Sequence, residues 1–176
     1  MLMEKNNCME SDSYRLFKDD RRILHMIKDY RFLYMYMWRK IKSGSKLSII
    51  YKILMRNMKK HYHIEIPYSV EIGEGLLLEH AYNITLNSKT VLGKNVTLYK
   101  GCTVGVANNG VPIIGDNVFI GLNSTVVGGV KIGNDVLIAP NSFVNFDVPD
   151  HSVVIGNPGT IHRKNGATEG YIMNPI

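Results

Sequence analysis

Cysteine is nearly absent: Cys8 and Cys102 are the only two in 176 residues. Two thiols build neither a disulfide framework nor a thiolate-rich zinc site, and their scarcity fits a reducing compartment. Long apolar runs are missing as well. No stretch reaches the roughly 18 residues a spanning helix needs, and no apolar core follows the basic start as it would in a signal peptide. The histidines, cysteines and acids show no ligand spacing, so no metal is expected. These absences together predict a cytoplasmic protein. What is present, 45% hydrophobic and 20% charged residues, is the profile of a folded domain.

Acid is short in one part of the chain only. Residues 1–66 carry 15 Lys/Arg against 7 Asp/Glu, whereas residues 67–176 carry 6 against 8. The positive charge is therefore confined to the N-terminal third and accompanied by no recognition motif, which argues against nucleic-acid binding. That third has a helical pattern, with Leu16, Ile23, Ile27, Leu33, Met35, Met37, Ile41, Ile49, Ile50, Leu54 and Met58 set between cations. Ser11, Asp12 or Ser13 is the expected N-cap of a first helix, and "KSGSK" at 42–46 a break between helices. Within "RFLYMYMWRKIK", Tyr, Met and Trp38 alternate with cations, a composition shared by helical caps and by helices lying on an anionic membrane. A cap over the open end of the next region is the expectation, with peripheral membrane contact through these basic helices as the alternative.

Beyond Pro67 the period becomes six. Leu86, Leu92, Leu98 and Val104 are followed, after a jump of ten, by Ile114, Ile120, Val126, Ile132, Ile138 and Val144. Small or branched residues precede these by two: Val96, Cys102, Val118, Ser124, Val130, Val136 and Ser142. A helix at 3.6 residues per turn rotates such a stripe off its face, while a short strand plus a corner keeps it. The pattern predicts a mainly β fold, a parallel β-helix of hexapeptide rungs over residues 64–164, after a helical region at 1–63 and before a tail at 165–176. Asn87, Asn95, Asn117, Asn123, Asn134, Asn141 and Asn145 suit the positive-φ corners.

One rung is irregular. "LLLEHAYNI", Leu76 to Ile84, puts His80 and Glu79 inside an apolar run, and Leu78 to Leu86 is two residues longer than the repeat. Imidazole titrates near neutrality, so a histidine placed there is a candidate general base. His25, His61, His63, His151 and His162 lie in or beside the basic helices or the closing turn and are expected to be structural.

The segments "IEIPYSVEIGEGLLLEHAYNITLNSKTVLGKNVTLYKGCTVG", "PIIGDNVFIGLNSTVVGGVKIGNDVLIAPNSFV" and "VPDHSVVIGNPG" resemble the serine acetyltransferase branch of the hexapeptide acyltransferases. The resemblance implies a left-handed coil, a homotrimer with sites between subunits, and acetyl-CoA as co-substrate. It implies that His80 deprotonates an acceptor hydroxyl, that Glu65 orients His80, and that Glu79 lies beside the acceptor. For the pantetheine arm it implies Gly105, Ala107, Gly121 and Ala139; Arg163 and Lys164 are candidates for the phosphates.

The jump from Val104 to Ile114 makes "VANNGV" a loop. The related enzymes end this loop in an Arg-His pair before proline, where this chain has Gly110 and Val111 before Pro112. With no cation in the loop, Asn108 and Asn109 point to a neutral hydroxyl acceptor, so the first expectation is O-acetylation of a sugar or surface-polysaccharide precursor. A cation from elsewhere, such as Lys100, would restore the alternative, serine O-acetylation for cysteine synthesis. A non-catalytic hexapeptide scaffold is the alternative of another class.

Overall fold

The computed structural model describes residues 2–18, 28–107 and 110–176, without the side chains of 2–7. Ile23, His25 and Ile27 lie outside the described residues. The described helices are α1 (Leu2–Phe17), α2 (Tyr30–Lys42) and α3 (Ser48–Tyr62). Twelve strands then wind four circuits of three: β1 (Glu71–Ile72), β2 (Leu77–Glu79) and β3 (Thr85–Leu86); β4 (Val91–Leu92), β5 (Thr97–Tyr99) and β6 (Thr103–Gly105); β7 (Ile113–Ile114), β8 (Val118–Ile120) and β9 (Thr125–Val127); β10 (Lys131–Ile132), β11 (Val136–Ile138) and β12 (Phe143–Val144). Each strand pairs in parallel with the one three places on, giving faces β1-β4-β7-β10, β2-β5-β8-β11 and β3-β6-β9-β12. The second face continues into β13 (Ser152–Ile155) and the antiparallel β14 (Thr160–Arg163).

The circuits stack because their inward residues are in register. Leu92, Ile114 and Ile132 follow one another on the first face, Leu78, Leu98, Ile120 and Ile138 on the second, and Leu86, Val104, Val126 and Val144 on the third. All are at most 3% exposed, so the six-residue period is the core of the protein. Corner geometry follows the expectation at Asn95, Asn117, Asn123 and Asn141, whose φ lies between 53 and 60°. Asn87, Asn134 and Asn145 do not take a left-handed conformation. Asp135 holds that corner instead of Asn134, whose side chain accepts from the Asp116 N–H, while Asn87 accepts from the Lys89 N–H.

The helices close the first circuit. Trp38 is fully buried and donates Nε1–H to the Ile66 carbonyl at 3.1 Å, and Phe32, Tyr34, Met35, Met37 and Ile41 are buried beside it. The "RFLYMYMWRKIK" segment is thus a cap on the coil. The N-cap expectation at 11–13 is corrected, since α1 begins at Leu2 and these residues are interior. Asp12 faces the coil, accepting from Arg39 at 3.0 and 3.1 Å and from the Leu76 N–H at 2.9 Å. Arg15, also buried, donates to the Gly75 and Met173 carbonyls and to Thr97 Oγ1.

The tail lies across the second face, with Ala167 buried against Phe119 and Leu137. Asp135 pins it. Burial alone would raise this carboxyl, but hydrogen bonds from His151, the Thr168 N–H and hydroxyl, and the Ala167 N–H prevail and hold its pKa at about 2. A depressed folded-state pKa stabilises above the unfolded value, near pH 4, and that contribution disappears as pH falls through about 2. Asn tolerates the same left-handed corner, so Asp135→Asn is expected to cost on the order of 1 kcal/mol at pH 7. Melting curves should show the variant's deficit vanishing between about pH 4 and 2.

Candidate active site

The two extra residues of the first circuit are His80 and Ala81. Glu79 registers with Tyr99, and the Gly101 N–H bonds the Tyr82 carbonyl, leaving no counterpart for the two residues between. They form a bulge at the corner between the second and third faces. Ala81 turns inward and is fully buried, while His80 takes φ of 49° and its side chain stays exposed. A non-glycine residue in this conformation costs on the order of 1 kcal/mol, and bulges re-aim side chains. Among the described residues neither ring nitrogen of His80 has a hydrogen-bond partner, and its ring stands 5.6 Å from that of Tyr99.

Both neighbouring carboxylates are held by helix cations. Arg31, fixed by Asp29 at the N-cap of α2, donates to Glu79 Oε1 at 3.1 Å, leaving Glu79 Oε2 buried without a partner among the described residues. Glu65 is exposed and pairs with Lys59 at 3.3 Å, and no hydrogen bond joins it to His80 in the single chain among the described residues. Arg31 is a residue that sequence reasoning missed. Its signal was faint: a cation two residues after an N-cap aspartate.

Continuing the strand register by one residue sets Glu79, Tyr99, Gly121 and Ala139 in a column rising from the bulge. Beside it runs a cleft of about 430 Å³ lined by Glu79, Tyr99, Phe119, Leu122, Pro140 and Tyr171, among others. Gly121 and Ala139, two of the four small residues, therefore adjoin this slot, next in sequence to its lining residues Leu122 and Pro140. Gly105 and Ala107 belong to the third face and the loop after it, at the next corner. That loop is a tight hairpin closed by reciprocal hydrogen bonds between Ala107 and Gly110, at 2.9 and 3.1 Å. Asn108 and Asn109 lie outside the described residues. Arg163 donates to the Asp150 carbonyl at 2.7 Å, and the Lys164 side chain is exposed.

Burial pushes the Cys102 thiol up to about 12, leaving no thiolate for nucleophilic chemistry. His63 caps α3 in a left-handed conformation, and His151 bonds Asp135. No group of three metal-ligating side chains occurs among the described residues, and no described helix is long and apolar enough to cross a membrane.

Residues 112–145 match the family profile described as bacterial transferase hexapeptide (six repeats). The chain carries the hexapeptide repeat on a β-helix and is similar to serine acetyltransferases. A serine acetyltransferase of Staphylococcus aureus (strain Mu50) is 37% identical over 111 residues, 61% of this chain and 52% of that one. Serine acetyltransferase 4 of Arabidopsis thaliana is 33% identical over 148 residues, 79% of this chain and 40% of that one. The crystal structure of Neisseria gonorrhoeae serine acetyltransferase in complex with serine superposes with a TM-score of 0.75 at 26% identity, covering 90% of this chain and 69% of that one. The chain thus spans about half the length, or less, of the curated relatives it matches.

Gly121 and Gly105 differ in what they tolerate. A Cβ at Gly121 would lie 2.7 Å from the Pro140 nitrogen and 2.8 Å from the Ile138 oxygen, whereas one at Gly105 would meet only side-chain atoms, Val127 Cγ1 at 3.4 Å and Thr103 Cγ2 at 3.7 Å. Gly121→Ala is expected to cost about 2 kcal/mol or more, and Gly105→Ala less than about 0.5 kcal/mol. Denaturant unfolding of the two variants side by side checks the difference.

Proposed function

We propose that the protein transfers the acetyl group of acetyl-CoA to the hydroxyl of serine, with His80 as general base. The observation that carries this reading is the bulge: the one histidine on the inserted pair is exposed, lacks a described partner, and stands at the foot of the Glu79–Tyr99–Gly121–Ala139 column. His80 would accept the proton of the acceptor hydroxyl as its oxygen bonds to the thioester carbonyl carbon. On collapse the carbon–sulfur bond breaks, and the imidazolium returns that proton to the departing thiolate, giving the O-acetyl ester and free thiol. The slot beside the column suits the pantetheine arm, and exposed Lys164 with Arg163 suits the phosphates.

The acceptor is where the comparisons outweigh the loop. An expectation of a sugar rested on Asn108 and Asn109 and on the missing Arg-His pair, while relatives matched over 61 and 79% of this chain are named serine acetyltransferases. Serine's ammonium is a fitting donor to a carboxylate such as Glu79, which neighbours His80 and is only partly buried. His80 and the 106–111 loop lie at different corners of one coil, which supports a site completed by a neighbouring copy in a trimer. Glu65, exposed and held only by Lys59, can exchange that partner for the imidazole.

Thiol release from acetyl-CoA with L-serine, then with sugars and oligosaccharides, tests the acceptor. Serine is expected to turn over, in a species sedimenting as a trimer. His80→Ala should lower kcat by about two to four orders of magnitude. Glu65→Gln should cost less, since it disturbs orientation and not the base. Near-normal turnover by the histidine variant contradicts the mechanism, and turnover with sugars alone contradicts the acceptor.

A further inference from the structure

Helix α3 leaves a large apolar face uncovered. Leu47, Ile49, Ile50, Ile53 and Leu54 are 49 to 74% exposed, on the side of the helix away from buried Met55. Single exposed aliphatics are ordinary, but five on successive turns form a contiguous patch of the kind that marks an interaction surface. Its chemistry is further specified by charge. Between Tyr30 and Ile64 the sequence holds nine Lys/Arg and no Asp or Glu. Lys46, Lys52, Arg56 and Lys60 are exposed around the patch. On one flank Lys52, Arg56 and Lys59 line a cleft of about 380 Å³ with Glu65, which pairs with Lys59, and its far wall includes Ile66, Pro67 and Tyr68.

We propose that this face of α3 docks on an anionic phospholipid surface. An aliphatic face inserting at the headgroup level, with cations beside it reaching phosphates, is the arrangement that holds interfacial helices. A second copy of the same face is a poorer occupant, because it would set cation against cation with no acid on this segment to relieve them. The aromatic segment of α2 does not share this role, being buried against the coil. The aliphatic face is distinct from the slot, although Glu65 shares the flanking cleft with Lys59, and vesicle binding is read without any turnover, so its failure and that of the acetyl-transfer reading are distinguishable.

Flotation of the full chain with vesicles tests it. One set is phosphatidylcholine alone, the other equimolar phosphatidylcholine and phosphatidylglycerol, each at low and high salt. Binding to the anionic vesicles at low salt, weakened by salt and absent from the neutral vesicles, is expected. Each cation near the surface contributes about a fivefold change in partition, so Lys52→Glu with Arg56→Glu should lower binding at least about 25-fold. Ile49→Ser with Ile53→Ser, at exposed positions that leave the fold intact, should lower it at both salt concentrations. No flotation with anionic vesicles overturns the proposal. So does a serine pair that floats like the parent protein but sediments at a lower mass, which assigns the face to contacts between copies.

Discussion

Stacking of one circuit on the next is the constraint from which the rest of the structure follows. Rungs lie about 4.8 Å apart, so an aliphatic residue inside the coil is covered only if the next circuit brings another to the same place. Ile114 and Ile132 are in register eighteen residues apart, three hexapeptides to the circuit. Every departure from that number must be pushed outward at a corner. The first circuit, from Ile72 to Leu92, has two residues too many, and the second, from Leu92 to Ile114, has four. The first excess becomes the His80 bulge and the second the 106–111 hairpin. The two irregular corners are thereby the places where the repeat is broken and side chains are freed from stacking.

A solenoid also has an open first circuit and bare faces, and this chain covers one of each from its own sequence. At the start, α2 lays Trp38 over the first circuit while Asp12 and Arg39 bridge α1, α2 and the coil backbone at Ile72, Gly73 and Leu76. Burial pushes the Asp12 carboxyl up, even beside Arg39, which is the cost of burying an ion pair. The pair is fully hydrogen-bonded, so removing either partner would strand the other. The tail returns along the second face to Arg15, joining the two termini of the chain through the Met173 carbonyl and Asn174. The wall of the slot at Tyr171 therefore depends on α1 as well as on the coil.

What sequence made legible was periodic. The inward stripe at every sixth residue is readable from the amino acids alone, because stacking tolerates no exception there. Corners were legible by halves: Asn95, Asn117, Asn123 and Asn141 take the left-handed conformation, but at 134–135 the aspartate does so, since it must face Thr168, thirty-three residues away. Side chains whose partners lie far along the chain were hidden for the same reason. Asp12 read as a cap because local spacing cannot reveal Leu76, and Arg31 went unnoticed because Glu79 lies 48 residues on. His80 stood out only because it interrupts a repeat, and the bulge around it is that interruption in three dimensions. The acceptor was not legible, since the loop from Val106 to Val111 carries no cation and no spacing in the chain singles out one hydroxyl.

The central claim is that His80 occupies its corner for chemistry and at some expense to the fold. A left-handed conformation suits glycine far better than histidine, and no described hydrogen bond would be lost on removing the ring. The melting temperature of His80→Gly, compared with the parent protein, tests this most directly. The account predicts a value equal to the parent's or a few degrees above it. A fall of several degrees would show that the imidazole is holding the corner together, and would contradict the account.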